Sequence, residues 1–237
     1  MISRARNLLR GRGWDVVRWT GLQHPLGQRM RMLRHHGVNL VLDVGANEGQ
    51  YGRELRLARY RGRIVSFEPL TGPHGRLEAA ARSDPKWDAV RLALGDADTE
   101  AAINVSVNSV SSSLLRVLPA STEAAAGSAI AGVETITVRR LDGVFDQYVQ
   151  AGDVTFLKLD LQGYELHALA GAAGVIDRIT GIQAEMSLVP LYEGGPLFTE
   201  IVAWADEHGF SLMGVEPGFA DPSTGRLLQV DGIFFRE

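Results

Sequence analysis

A turn framed by two glycines follows the first apolar run of this chain. The run Leu40–Val44 ends at Gly45, and Gly49 precedes a stretch with helical periodicity. Glycine lets the backbone approach a ligand without a Cβ atom, and the first N–H groups of a helix are free to bind an acceptor. The spacing is neither the GxGxxG of dinucleotide sites nor a P-loop, because no GK[ST] follows. Asp43 and Glu48 would repel a triphosphate, whereas they would accept a cationic sulfonium amino acid.

Acidic residues at the next two strand ends extend this pattern. Glu68, followed by Pro69, comes at about the interval at which doubly wound folds place an acid that chelates two ribose hydroxyls. Gly95 and Asp96 follow the third apolar run, where they can hydrogen-bond an adenine edge. Tyr51 is expected either over the methionyl end of such a ligand or in the core. The predicted cofactor-binding residues of this adenosyl site are Asp43, Gly45, Asn47, Gly49, Tyr51, Glu68, Pro69, Gly95 and Asp96.

Two more carboxylates, Asp160 and Glu185, end the fourth and fifth apolar runs. Neighbouring ends of parallel strands converge, so we expect both side chains to face one pocket. Two chemistries follow from this expectation. The pair holds a magnesium ion that acidifies an acceptor hydroxyl, or one carboxylate is the general base that takes the hydroxyl proton. The structural alternatives are a helix cap at Asp160 and an acceptor for loop N–H groups at Glu185.

Apolar runs that alternate with helical stretches must position these residues. Continuous apolar strands separated by helices are typical of a parallel sheet that is covered on both faces. The last two runs read as an antiparallel hairpin, which mixed sheets allow. We therefore predict an α/β fold with a mostly parallel sheet, an antiparallel C-terminal hairpin and helices on both faces. Strands are predicted at 40–44, 63–67, 87–94, 154–159, 179–184 and in the last 28 residues, with helices at 51–58, 75–81, 164–170 and 197–208.

Two segments depart from this alternation. Residues 101–139 contain β-like runs at 103–107 and 135–138 around a Ser/Ala/Gly-rich stretch that is too long for a plain connection. We expect a lid over the site there, with a flexible surface insertion as the alternative. Residues 1–37 are basic and match no motif, and they predict an N-terminal helical extension before a catalytic domain at 38–237. Contact with an anionic membrane surface or a second subunit is the alternative role of that extension.

Composition restricts the classes of site and partner. The chain has 24 Lys and Arg against 28 Asp and Glu, and it has no Cys. Disulfide scaffolds, cysteine-ligated zinc and thiol nucleophiles are therefore excluded, and the net charge of −4 argues against a nucleic-acid partner. No apolar run is long enough to span a bilayer, and the N-terminus lacks the apolar centre of a signal peptide. We expect a cytoplasmic protein without an integral membrane segment.

Taken together, the motifs resemble the FkbM family of methyltransferases over about residues 38–236. The most specific matches are DVGAN at 43–47 and KLDLQGYE at 158–165, and SSSLL at 111–115 and DGIFF at 231–235 agree with them. The resemblance implies a Rossmann-like class I fold and transfer of a methyl group from S-adenosylmethionine to oxygen. The acceptor it implies is a hydroxyl of a sugar or glycosylated natural product, mannosides included. The family often has an acid where this chain has Gln162, so the role of that acid is not transferred.

Other function classes remain open at this point. The alternative to an O-methyltransferase is a non-catalytic cofactor-binding module, or a pseudoenzyme that acts through protein contacts. Asp160 and Glu185 favour the enzyme, and the glycine spacing disfavours an NAD-dependent oxidoreductase. For the enzyme, the partner is a small-molecule or oligosaccharide acceptor, and a homodimer is a further expectation.

Overall fold

The computed structural model describes residues 9–12, 14 and 24–237, whose strands form two sheets. The strands are β1 (Leu40–Val44), β2 (Arg63–Phe67), β3 (Trp87–Val90), β4 (Ala93–Leu94), β5 (Thr99–Ser106), β6 (Ile130–Arg139), β7 (Thr155–Leu159), β8 (Ile179–Ser187), β9 (Phe210–Pro217) and β10 (Gln229–Arg236). The helices are α1 (Pro25–His35), α2 (Gln50–Leu57), α3 (Thr71–Ala81), α4 (Pro119–Ala124), α5 (Leu141–Tyr148), α6 (Glu165–Gly171) and α7 (Phe198–Glu207).

The larger sheet has seven strands in the order β3-β2-β1-β7-β8-β10-β9. Strands β3, β2, β1, β7 and β8 are parallel to one another. The chain runs outwards from β1 to β3 and then returns to the other side of β1 as β7. The strand order therefore reverses between β1 and β7, which is the place where doubly wound folds bind ligands. This topology confirms the predicted Rossmann-like α/β class.

The C-terminal strands close one side of this sheet. β10 lies between β8 and β9 and is antiparallel to both, with an irregularity in its register at Ile233 and Phe234. The predicted antiparallel hairpin is thus confirmed, and its last strand is inserted next to the parallel part. Insertion brings Asp231 of β10 beside Glu185 of β8.

Helices cover both faces of the larger sheet, as predicted. Leu42 of β1 packs in a core that α5, α6 and α7 cover, whereas Val41 packs in a second core below α1, α2 and α3. Side chains two residues apart in a strand share a face. On the second face the apolar Val41 and Phe156 are therefore followed by Asp43 and Lys158 near the carboxyl edge. The core on this face becomes polar where the strand order reverses.

The structure corrects the prediction of one strand at 87–94. That run is divided into β3, which belongs to the larger sheet, and β4, which pairs with β6 in a separate sheet of order β4-β6-β5. The strand is interrupted at Arg91 and Leu92, and the exposed Arg91 separates two short runs that belong to different sheets. The insertion at 101–139 contains most of β5 and β6, which form a long antiparallel pair.

Only part of the predicted N-terminal extension can be compared with the structure. Helix α1 lies within it, and residues 1–8, 13 and 15–23 lie outside the described residues. Among the helices of the described part, none is both long and apolar enough to cross a membrane.

Candidate functional site

The glycine turn between β1 and α2 touches the end of β7. Gly45, Asn47 and Gly49 all have left-handed backbones, with φ of 75°, 47° and 83°. A Cβ atom on Gly45 would lie 1.9 Å from the backbone oxygen of Asp160, so only glycine allows the two segments to come so close. A Cβ on Gly49 would lie 3.0 Å from the ring of Trp87. The left-handed backbone of the turn and its close contacts with Asp160 and Trp87 therefore fix its conformation.

Glu68 lies beside this turn at the end of β2. Its carboxylate accepts hydrogen bonds from the backbone N–H of Asn47 at 2.8 Å and of Leu70 at 2.9 Å, and the residue is only 5% exposed. Burial raises the pKa of Glu68 to about 7, although the two N–H bonds act in the opposite direction. Glu68, Gly45, Asn47 and Pro69 line a cavity of about 60 Å³, here called the Glu68 cavity. The structure therefore brings together four of the predicted cofactor residues.

The rest of the Glu68 cavity is mostly apolar. Leu70, Leu92, Leu94 and Ile136 contribute side chains to its wall, and Tyr164 contributes a ring. An apolar slot beside a buried acid has the chemical character that a base attached to a ribose requires, but at about 60 Å³ the cavity must widen to hold one.

Gly95 and Asp96 do not line this cavity, although they were predicted to do so. Asp96 accepts a hydrogen bond from Tyr164 at 3.3 Å and lies 2.8 Å from Nδ1 of His167. The hydrogen bond with His167 holds the pKa of Asp96 below its usual range. Sequence alone shows that Asp96 follows a strand, but not that the ring of Tyr164, just before α6, lies between it and the cavity.

Asp43 is fully buried below the turn and lines neither of the cavities at this edge. Ser66 donates to Asp43 Oδ2 at 2.8 Å, and Trp87 Nε1 donates to Ser66 at 3.0 Å. Asp43 Oδ1 makes no hydrogen bond and lies 3.3 Å from Nζ of Lys158. The carboxylate therefore supports the turn and balances the charge of Lys158.

A second cavity of about 300 Å³, here called the Arg29 cavity, lies on the other side of the turn, next to α1 and α2. The guanidinium of Arg29 forms two hydrogen bonds with Glu216 of β9, and its Nη1 is buried without one. Its Cζ lies 4.7 Å from the centre of the Tyr51 ring. Tyr51, a predicted cofactor residue, donates to Gln183 Oε1 at 2.9 Å. Sequence reasoning missed Arg29, which lies in a segment without a recognisable motif.

The two cavities are adjacent and share part of their walls. Gly45, Asn47, Val110 and Asp160 line both of them. This shared wall, here called the joint, is at the sheet edge between β1 and β7 and contains one predicted catalytic carboxylate.

Asp160 directly follows β7, whereas Glu185 lies inside the neighbouring β8, two residues before its end. The two residues are close, but only Asp160 lines the two cavities, so the expectation that both side chains face one pocket is wrong for Glu185. The amide nitrogen of Gln162 donates to Asp160 Oδ1 and to Glu185 Oε2, at 2.8 Å each. The Tyr192 hydroxyl donates to the Gln162 oxygen, which fixes the orientation of the amide. Gln162 occupies the position where the family often has an acid. It is a neutral donor that bridges the two carboxylates.

Cations and amides supply the remaining partners of this pair. Lys158 Nζ lies 3.3 Å from Asp160 Oδ2, and Gln229 donates to Glu185 Oε2 at 2.7 Å. Burial, followed by the nearby charge of Asp160, raises the pKa of Glu185 well above its usual range. Burial and Asp160 also raise the pKa of Asp231 to about 6. The edge therefore holds proton-binding carboxylates close to neutral pH.

This donor set fits a magnesium ion poorly. Within the described residues no group of three or more His, Cys, Asp or Glu could hold a metal ion. Magnesium takes oxygen ligands, whereas Asp160 and Glu185 face an ammonium and two amide N–H donors. The predicted magnesium site stays a prediction.

The Ser-rich part of the insertion lies over the Glu68 cavity. Ser109, Val110 and Ser112 line it, and Ser113 donates to the backbone oxygen of Gln162 at 2.8 Å. Asn47 of the turn also donates to Ser109 at 3.3 Å. The position is the one that a lid would occupy, and its movement stays a prediction.

Comparison with known proteins gives one family match. The model of the methyltransferase FkbM domain matches residues 43–212. No curated protein matches the chain.

Similar solved structures have low sequence identity. An rRNA methylase from Streptococcus thermophilus is 9% identical with a TM-score of 0.49, over 90% of this chain and 97% of that one. A putative tRNA (m1A22) methyltransferase of Streptococcus pneumoniae, in complex with S-adenosyl-L-methionine, is 12% identical with a TM-score of 0.47, over 88% and 72%. An O-methyltransferase from neocarzinostatin biosynthesis, in complex with S-adenosylmethionine, is 12% identical with a TM-score of 0.43, over 85% and 50%.

Proposed function

Because this chain belongs to the family of FkbM methyltransferase domains, we propose that it transfers the methyl group of S-adenosylmethionine to a hydroxyl of a sugar or glycosylated natural product. The observation that carries the proposal is the joint between the two cavities. A ligand that occupies both of them would lie against Asp160, and Gln162 links that residue to Glu185 on the neighbouring strand.

The residues of the two cavities fit the parts of this cofactor. Glu68 would hold the ribose hydroxyls, because its carboxylate is fixed by two backbone N–H groups and still has free lone pairs. The Arg29 cavity has charges of both signs, as an amino-acid zwitterion requires. Its cations are Arg29 and Lys158, and its carboxylates are Glu54, Asp160, Glu216 and Asp231.

S-adenosylmethionine, when bound, would supply an electrophilic methyl group, and formation of the new C–O bond would break the C–S bond and release a neutral thioether, so this chain would need no acid at the leaving group. The chain must therefore align the acceptor and take one proton from its hydroxyl.

Glu185 is the residue that we assign to this proton transfer. A carboxylate of ordinary pKa, about 4.3, is a weak base for an alcohol. The raised pKa of Glu185 makes it a stronger base, and Gln162 and Gln229 fix the orientation of its carboxylate. Asp160 keeps this pKa high through its charge and holds Lys158 at the joint. When Glu185 takes the proton, repulsion between the two carboxylates decreases.

The groups around this pair support the proposed acceptor class. Amides, carboxylates and the Tyr192 hydroxyl offer donors and acceptors to adjacent hydroxyls, which a saccharide presents. A purely aromatic acceptor would make poor use of them.

The test is a methyl-transfer assay with labelled S-adenosylmethionine against saccharides, glycosides and aglycones. We expect turnover on saccharides or glycosides, loss of most of it in Glu185→Gln and Asp160→Asn, and full activity in the exposed control Asp206→Asn. Methylation of aglycones alone would contradict the acceptor class, and full activity in Glu185→Gln would contradict the base.

The same assay with EDTA decides between the two chemistries at the pair. Unchanged turnover after chelation agrees with the metal-free reaction proposed here. Loss of turnover that magnesium restores would instead establish the predicted metal site.

A further inference from the structure

A groove rich in cations lies at the opposite edge of the larger sheet. It has a volume of about 570 Å³ and is formed where β2 and β3 begin, close to the end of α1. This groove, here called the Tyr60 groove, is lined by the cations Arg34, Arg59, Arg61, Arg63 and Lys86, with Asp153 as its carboxylate. The net charge of the whole chain is −4, whereas the lining of this groove is positively charged.

Most of these cations have no carboxylate partner. Arg63 forms an ion pair with Asp153 at 3.0 Å. In the part of the chain that the structure describes, the other four cations form no ion pair within 4 Å, and all four are exposed. Cations in a concave surface reinforce one another's potential and attract anions.

The floor of the groove contains an unsatisfied polar group. Tyr60 is 5% exposed, and its hydroxyl has no hydrogen-bond partner. Burial of an unpaired hydroxyl costs free energy, and a group of this kind in a native structure calls for an explanation. Burial also raises the pKa of Tyr60, so the hydroxyl keeps its proton and remains a donor.

The loop that carries Tyr60 is held in place before any ligand arrives. Arg56 donates to the backbone oxygens of Tyr60 at 3.2 Å, Gly62 at 3.0 Å and Lys86 at 3.1 Å. Arg59 has a left-handed backbone with φ of 67°, which is uncommon for a residue other than glycine. A Cβ on Gly62 would lie 2.3 Å from the Tyr60 hydroxyl oxygen, so only glycine allows the backbone to lie this close to the hydroxyl.

We propose that the Tyr60 groove binds a phosphate ester, with Arg59, Arg61 and Lys86 neutralising the charge and the Tyr60 hydroxyl donating to a phosphate oxygen. The groove has two kinds of unpaired group, its cations and the Tyr60 hydroxyl. Phosphate suits both, because it carries negative charge and several strong acceptor oxygens. The site is on the opposite edge of the sheet from Asp160, so the bound phosphate belongs to a tether or effector and not to the reacting group.

The test is titration calorimetry of the full chain with inorganic phosphate and pyrophosphate. We expect binding that falls at least roughly tenfold in Arg59→Gln/Arg61→Gln, and by a similar factor in Tyr60→Phe, as loss of one hydrogen bond to an anion implies. The matched control is Arg82→Gln, an exposed arginine of the same chain outside the groove.

Tyr60→Phe separates binding from a structural role. Removal of an unpaired buried hydroxyl should leave the thermal midpoint unchanged or raise it, while anion affinity falls. Equal affinity in wild type, Tyr60→Phe and the double arginine variant would overturn the proposal, as would the absence of any binding.

The source of the phosphate is found with vesicles of phosphatidylcholine, with and without phosphatidylglycerol. Sedimentation only with the anionic vesicles, lost in Arg59→Gln/Arg61→Gln, would assign the site to a lipid headgroup. Binding of the soluble anions without sedimentation would assign it to a small phosphorylated molecule. Binding of RNA alone, with no affinity for phosphate or vesicles, would overturn the proposal.

Discussion

Replacement of Glu68 by glutamine tests the cofactor site most directly. In wild type, each carboxylate oxygen of Glu68 accepts one backbone N–H. Glutamine keeps the shape of the side chain, but its amide nitrogen would face one of these N–H groups and could not accept a hydrogen bond from it. It also removes the charged acceptor for two ribose hydroxyls. Hydrogen bonds to a charged group are worth about 1.5–3 kcal/mol each, so we expect a loss of about 3 kcal/mol, roughly a hundredfold in Kd.

The raised pKa of Glu68, about 7, adds a pH signature to this prediction. Only the ionised form accepts two ribose hydroxyls, and its fraction rises from about one-tenth at pH 6 to about nine-tenths at pH 8. Calorimetry with S-adenosylhomocysteine should therefore give roughly tenfold tighter binding at pH 8 than at pH 6 in wild type. Binding by Glu68→Gln should be weak and independent of pH. Equal affinity in both proteins would refute the assignment of Glu68 as ribose ligand.

Stability provides an independent measurement of the same group. The pKa of Glu68 is raised on folding from 4.5 to about 7. Its contribution to stability is therefore complete below pH 4.5 and is lost as the pH rises through 7, by about 3 kcal/mol in total. Urea unfolding at pH 5 and pH 8 should show this loss in wild type relative to Glu68→Gln. Other buried acids such as Glu165 titrate in both proteins, so their contributions cancel when the unfolding free energies of wild type and Glu68→Gln are subtracted.

Three further predictions concern the turn, the Arg29 cavity and the insertion. Gly45→Ala should abolish binding of S-adenosylhomocysteine, since its Cβ would lie 1.9 Å from the backbone oxygen of Asp160, just after β7. Gly132→Ala, with open space around it, should bind normally in the same calorimetry. The double variant Arg29→Gln/Glu216→Gln leaves neither buried charge unpaired. It should weaken the binding of S-adenosylhomocysteine but not that of 5′-methylthioadenosine, and equal losses of affinity for both ligands would contradict the zwitterion assignment. Residues 108–132 should become resistant to limited proteolysis when cofactor and acceptor are bound, and an unchanged cleavage rate would identify a passive insertion.

Local sequence predicted the elements that depend on local signals. The bounds of β1 and β2 agree with the apolar runs, because each run is flanked by polar residues or glycine that end a buried strand. The meeting of Glu68, Asp160 and Glu185 at one edge follows from the parallel order, which the alternation of strands and helices predicts.

Long-range contacts could not be predicted in this way. The pairing of Arg29 with Glu216 joins residues 187 positions apart, and neither lies in a motif. From the sequence, Gln162 indicates only the loss of an acid. The structure shows that its amide lies between Asp160 and Glu185 and donates to both. Asp231 was part of a matched motif, but its place near the pair depends on the insertion of β10 beside β8.

The packing of Trp87 against the glycine turn gives the protein a built-in spectroscopic probe. Its ring is 6% exposed, would be 2.2 Å from a Cβ on Gly52, and is linked through Ser66 to Asp43 below the turn. An indole held in this way emits at short wavelength, whereas Trp14, at 72% exposed, emits as in water. A ligand that shifts the turn should therefore change the emission of Trp87. Trp204 is also partly buried, so the signal is best followed, without a label, in a Trp204→Phe variant.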